Sequence, residues 1–115
     1  MAKKRVAVEF GMGTSLRRMD YTKAACRALR DALWHNSLTM ADAFGFDKSA
    51  MLVEVEIAVQ QPDQVDIGEL EKILPYGQPS FRVVRGGLDI AKPNGDHTVI
   101  ANAAVIVSFD MEPAQ

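Results

Sequence analysis

Cysteine is almost absent: the 115 residues hold one, Cys26. A lone thiol excludes an intrachain disulfide and fits a reducing cytoplasm. Histidine is scarce as well, with only His35 and His97. These side chains form no recognised metal spacing and no nucleophile–base set. No apolar run approaches the roughly 20 residues that span a bilayer. The basic start, Lys3-Lys4-Arg5, is not followed by the apolar segment of a secretory signal. The formal net charge is only -2, which removes a bulk electrostatic case for nucleic acid. Gly11-Met12-Gly13 falls short of a dinucleotide fingerprint because Leu16 stands where a third glycine is required, and no Gly-Lys-Ser/Thr follows. No cofactor pattern is complete, and no repeat or interdomain linker interrupts the chain.

What the chain does contain is an ordinary globular balance, with 48% hydrophobic residues. That is enough for one domain, residues 1–115, to bury a core without disulfide or metal. Charge is distributed unevenly: Lys3, Lys4, Arg5, Arg17, Arg18, Lys23, Arg27 and Arg30 precede most of the acidic residues.

Periodicity gives the elements. Arg5 to Phe10 alternates as a half-buried strand, with a turn expected at Gly11 and Gly13. A helix is predicted from about Thr22 to His35, with Ala25, Leu29, Ala32 and Leu33 as its apolar stripe. Asp20 and Thr22 both qualify as its N-cap. Residues 37–50 have no clean period and read as a long loop, with Phe44 and Phe46 around Gly45. Met51 to Val59 alternates strongly, with Val53, Val55, Ile57 and Val59 on one face and Glu54 and Glu56 on the other. Asp66-Ile67-Gly68-Glu69 resembles a capping box for a short helix with Ile67, Leu70, Ile73 and Leu74 inward, stopped by Pro75. Phe81 to Val84 is a third strand that Leu88 and Ile90 extend past a break at Gly86-Gly87. Lys92-Pro93-Asn94-Gly95-Asp96 is a turn, with His97 solvated beside it. Thr98 to Asp110 is apolar on both faces, so it must lie centrally or be covered by another chain. The expected fold is therefore α+β, in the order βαβαββ. It has one four-stranded sheet and two helices mainly on one face. The expected assembly is a homo-oligomer.

The candidate site lies between the first strand and the first helix. A glycine turn at a helix N-terminus offers backbone amides to phosphate or carboxylate. Arg17 and Arg18 add guanidinium forks. Gly11, Gly13, Ser15, Arg17, Arg18 and Lys23 are the ligand-binding candidates for a small anionic metabolite. The competing explanation is structural: a tight turn and a solvated basic face carrying Lys23, Arg27 and Arg30, with Trp34 at its edge. Cys26, beside the helix's apolar side, reads as a small core residue. Glu9, Glu54 and Glu56 are acid/base candidates only if a cleft gathers them.

Gly11 and Gly13, Asp20-Tyr21-Thr22-Lys23-Ala24-Ala25, Asn36-Ser37-Leu38, Pro75-Tyr76-Gly77, Gly86-Gly87 and Asn102-Ala103-Ala104 occur in the order seen in one family. In them the chain resembles a small family of conserved hypothetical proteins of the Listeria and plant type, over nearly its whole length. The family's N-terminal signature resembles GxGxDxHG. Here Ser15 stands for the Asp, Arg17 for the His and Arg18 for the Gly. The resemblance implies no established activity. The departure removes an acid and a base that metal or proton chemistry would use, and leaves a basic site suited to an anion. It also raises two alternatives: a subunit of a hydrolytic or acid/base enzyme with an inter-subunit site, or a structural subunit of a mixed oligomer with a signature-bearing paralogue.

Overall fold

The computed structural model describes residues 3–35, 52–74 and 78–110. The loop expected over residues 37–50, with Phe44 and Phe46, and the turn expected at residues 75–77 fall outside the described residues. The elements are β1 (Lys3–Ser15), α1 (Tyr21–His35), β2 (Leu52–Val59), a 3-10 turn (Pro62–Gln64), α2 (Ile67–Glu71), β3 (Gln78–Arg85), β4 (Leu88–Ala91) and β5 (His97–Asp110). The class is α+β, as expected. Among the described residues the sheet is five-stranded and mixed rather than four-stranded, in the order β1-β5-β2-β3 with β4 also on β5.

The additional strand arises at Gly86-Gly87. β3 runs parallel to β2 on its outer side. The chain then steps over the end of β2, where the Gly86 amide donates to Val59 O at 2.9 Å. It continues as β4, which pairs antiparallel with β5 from Leu88↔Ile100 to Ala91↔His97. β2 occupies the same side of β5 from Leu52↔Ser108 to Ala58↔Asn102. Leu88 and Ile90 therefore do not extend β3; they take over from β2. Gly87 has φ +61°, and a Cβ there would lie 2.2 Å from Ile100 O, so the step requires glycine.

β5 is central, between β1 on one side and β2 and β4 on the other. Its alternate residues Val99, Ala101, Ala103, Val105, Val107 and Phe109 are buried, as are Val53, Val55, Ile57 and Val59 of β2. α1 covers this face with Ala24, Ala25, Ala28, Leu29 and Ala32, all fully buried. Leu70 of α2 joins the same core. Thus the described helices share one face. Asp66 caps α2 through its carboxylate on the Gly68 amide, 2.9 Å away. Its own amide donates to Thr22 Oγ1 at 2.9 Å instead of closing the expected box with Glu69, and Glu69 pairs with Lys72.

β1 does not end at Phe10. It runs on to Ser15, paired with β5 through Gly11↔Ala103 and Gly13↔Ala101. A Cβ on Gly11 would stand 2.2 Å from Ala28 O, and one on Gly13 2.3 Å from Ala24 O. These glycines let the alanine face of α1 approach the sheet; they do not turn the chain. The outer edge of β1 is occupied by α1 side chains. Asp31 Oδ2 accepts the Met12 amide at 2.9 Å, and Arg27 Nη1 donates to Thr14 O at 2.7 Å. Capped in this way, an edge strand has fewer free groups to template another strand. No helix among the described residues is long and apolar enough to cross a membrane.

Candidate functional site

The turn that the sequence suggests at Gly11 and Gly13 lies farther along, at Leu16–Asp20. Met19 takes the left-handed φ of +49° there. Ser15 Oγ accepts the Asp20 amide at 3.1 Å, and Asp20 Oδ1 accepts the Lys23 amide at 2.9 Å. Asp20 is therefore the cap of α1. Thr22, the other candidate, instead donates to Gln64 O at 3.3 Å and secures the 3-10 turn. The Lys92 ammonium donates to the Leu16 carbonyl and ties the same turn to the β4–β5 connection.

Beside this turn is a cavity of about 360 Å³, lined by Ser15, Leu16, Arg17, Arg18, Lys23 and Arg27. Four of the six expected ligand residues, Ser15, Arg17, Arg18 and Lys23, meet here. Gly11 and Gly13 do not, because they lie in the β1 ladder beneath α1. Amides presented by a glycine turn are thus not available, and Asp20 caps the helix end. The donors that remain are cationic side chains and the Ser15 hydroxyl. Arg27 enters the lining because it stands one helical turn beyond Lys23, and i,i+4 residues share a helix face. Arg30 does not line this cavity; it lines one of about 570 Å³ with Cys26, Glu69 and Lys72, and another of about 320 Å³ with Asp20 and Lys23. Burial pushes the Cys26 thiol up, opposed by the charge of Arg30; Cys26 is half-buried and packs against the edge of the core rather than within it.

A second polar cluster joins residues that sequence reasoning left apart. The Tyr21 hydroxyl donates to Asp89 Oδ2 at 2.5 Å and accepts from Gln61 Nε2 at 3.1 Å. His97 Nε2 lies 2.9 Å from the same hydroxyl and 3.3 Å from Asp89 Oδ2. A phenol has one proton, and here it goes to Asp89. A hydrogen bond between His97 and this hydroxyl therefore has Nε2 as its donor. Asp89 Oδ1 is buried without a hydrogen-bond partner among the described residues. His97 is the first residue of β5 and half-buried, not solvated in the turn. Burial first, then the hydrogen bond and charge of Asp89, push the Tyr21 phenol up to about 12. The available signal was Tyr21 at the start of a helix, where a buried tyrosine needs a partner for its hydroxyl. Nothing in the spacing marked Asp89 or His97 as that partner. Among the described residues, no three His, Cys, Asp or Glu side chains gather into a metal-binding group.

A one-sided α+β sheet with a basic turn at the N-terminus of its long helix defines the class of protein. The chain belongs to the Lin0512 family of conserved hypothetical proteins, whose model matches residues 5–107. The crystal structure of an FtsZ-like protein of unknown function from Nostoc punctiforme PCC 73102 is similar. Its TM-score is 0.85 and its identity 36%, over 96% of this chain and 99% of that one. No functionally curated protein matches the sequence.

Proposed function

We propose that this protein is a self-associating cytoplasmic binder of a small anion, phosphate or carboxylate in character, held beside the Leu16–Asp20 turn. The observation that carries the reading is the convergence of Arg17, Arg18, Lys23 and Arg27 with Ser15 around one cavity. Guanidinium groups match the planar oxygens of carboxylate and phosphate, and Ser15 adds a short-range donor. Asp20 and Lys92 fix the turn from which Arg17 and Arg18 project. A ligand that binds the native state raises apparent stability. Thermal shift across phosphate, sulfate and carboxylates is expected to find a stabilising anion, and Arg17→Ala with Arg18→Ala to abolish the shift. An undiminished shift in the double variant would move the site elsewhere.

An acid/base enzyme is the second reading, favoured by the Tyr21–Asp89–His97 cluster. Ser15, Val99 and Asp89 form one row across three strands. Two strand spacings put the pocket hydroxyl about 10 Å from the Asp89 backbone. Turnover of phosphate or carboxylate esters that disappears in His97→Gln supports this reading; absence of turnover in the native assembly supports a binder.

A further inference from the structure

We propose that the helix-free face of the sheet packs against the same face of a second copy of this chain. This deepens the self-association in the reading above and does not depend on the anion pocket. The register defines the face. Phe10 lies opposite Ala104 and Met12 opposite Asn102 on β1 and β5, while Leu88 lies opposite Ile100 and Ile90 opposite Thr98 on β4 and β5. Successive residues of a strand alternate between faces, so these side chains point away from the face that α1 covers. Phe10 is 69% exposed, Met12 56%, Leu88 57% and Ile90 48%. Singly exposed apolar residues are common on soluble proteins. Four large ones on one sheet face, with half-buried Ile100 among them and half-buried Ile106 beyond Phe10, mark an interaction surface.

Size and shape select the occupant. The twelve registered pairs of β1 with β5 make the face about 40 Å long, and four strands make it about 19 Å wide, or about 760 Å². A stable dimer buries about 800 Å² per partner, close to the whole face. A second copy has the identical twist, the condition for aligned sheet-on-sheet packing. The relief is also self-complementary. Phe10 and Met12 form a ridge along β1, whereas β2 and β3 carry a hollow of about 290 Å³ with Glu54, Glu56, Ser80, Arg82 and Ile106 in its lining. Under a two-fold axis each ridge meets the partner's hollow, and the relation is reciprocal. The two glutamates on this face oppose an anionic membrane as the occupant.

Light scattering and sedimentation equilibrium of the full chain test this. A dimer or larger closed assembly is expected at micromolar concentration, and a monomer there overturns the proposal. Met12→Gln with Leu88→Gln should raise the dissociation constant on the order of ten-fold or more; unchanged association would overturn the assignment of this face. The unmodified protein gives a check that needs no folded variant. Peroxide oxidation of Met12 should slow as concentration rises through the association midpoint, and a concentration-independent rate overturns the proposal. A phosphate or carboxylate thermal shift measured on the same samples reports separately on the basic cavity, so failure of one does not imply failure of the other.

Discussion

The Tyr21 hydroxyl donates to Asp89 Oδ2 across 2.5 Å. That bond ties the first residue of α1 to β4. With His97 and Gln61 on the same oxygen, it locks the start of the helix over the end of the sheet. The helix start also carries Asp20, the cap that shapes the basic turn. The cluster and the cavity are thus two sides of one helix terminus.

This bond has a consequence at alkaline pH. The phenol is pushed up to about 12 in the folded chain, from an ordinary value of 10.0. Between those values the unfolded chain has released the proton and the folded chain has kept it. The contribution is fully present below about pH 10 and is lost as pH rises toward about 12. Melting temperature should fall more steeply through that window in the wild type than in Tyr21→Phe. Tyr76 is common to both proteins, so parallel curves would mean that Tyr21 does not retain its proton.

Gly13 sets how closely α1 approaches β1. Alanine there would put a Cβ 2.3 Å from both Ala24 O and Ala28 N, against helix backbone that cannot rotate aside. Overpacking of this kind costs about 1–3 kcal/mol. Urea denaturation of Gly13→Ala should give an unfolding free energy lower by that amount, read as a lower midpoint at unchanged slope, and an unchanged midpoint would mean that the helix stands farther from the strand.

Asp20→Ala removes the side-chain acceptor of the Lys23 amide, 2.9 Å away. Loss of such a cap costs about 1 kcal/mol. Because Asp20 also closes the turn that holds Arg17 and Arg18, anion-induced stabilisation should weaken in the same variant. Asp20→Ser, which still accepts from the amide, should recover most of both losses. Calorimetry with and without phosphate or sulfate reads the two effects together.

The sequence by itself determined the class and most elements. Alternation at Val53, Val55, Ile57 and Val59 and the apolar stripe of α1 each reflect a local period that burial enforces, so both were legible. The basic residues of the cavity were legible as well, because Arg17, Arg18 and Lys23 lie within one short stretch of chain. Local pattern could not say that Gly11 and Gly13 continue a strand. Glycine suits a turn and a close helix–strand approach equally, and only the alanines of α1 above them decide between the two. Nor could it split Phe81–Ile90 into β3 and β4, since the step over β2 depends on where the end of β2 lies. The meeting of Tyr21, Asp89 and His97 was the least legible feature. Three separate elements bring them together, and the preference of a buried hydroxyl for polar partners does not say which partners the folded sheet will supply.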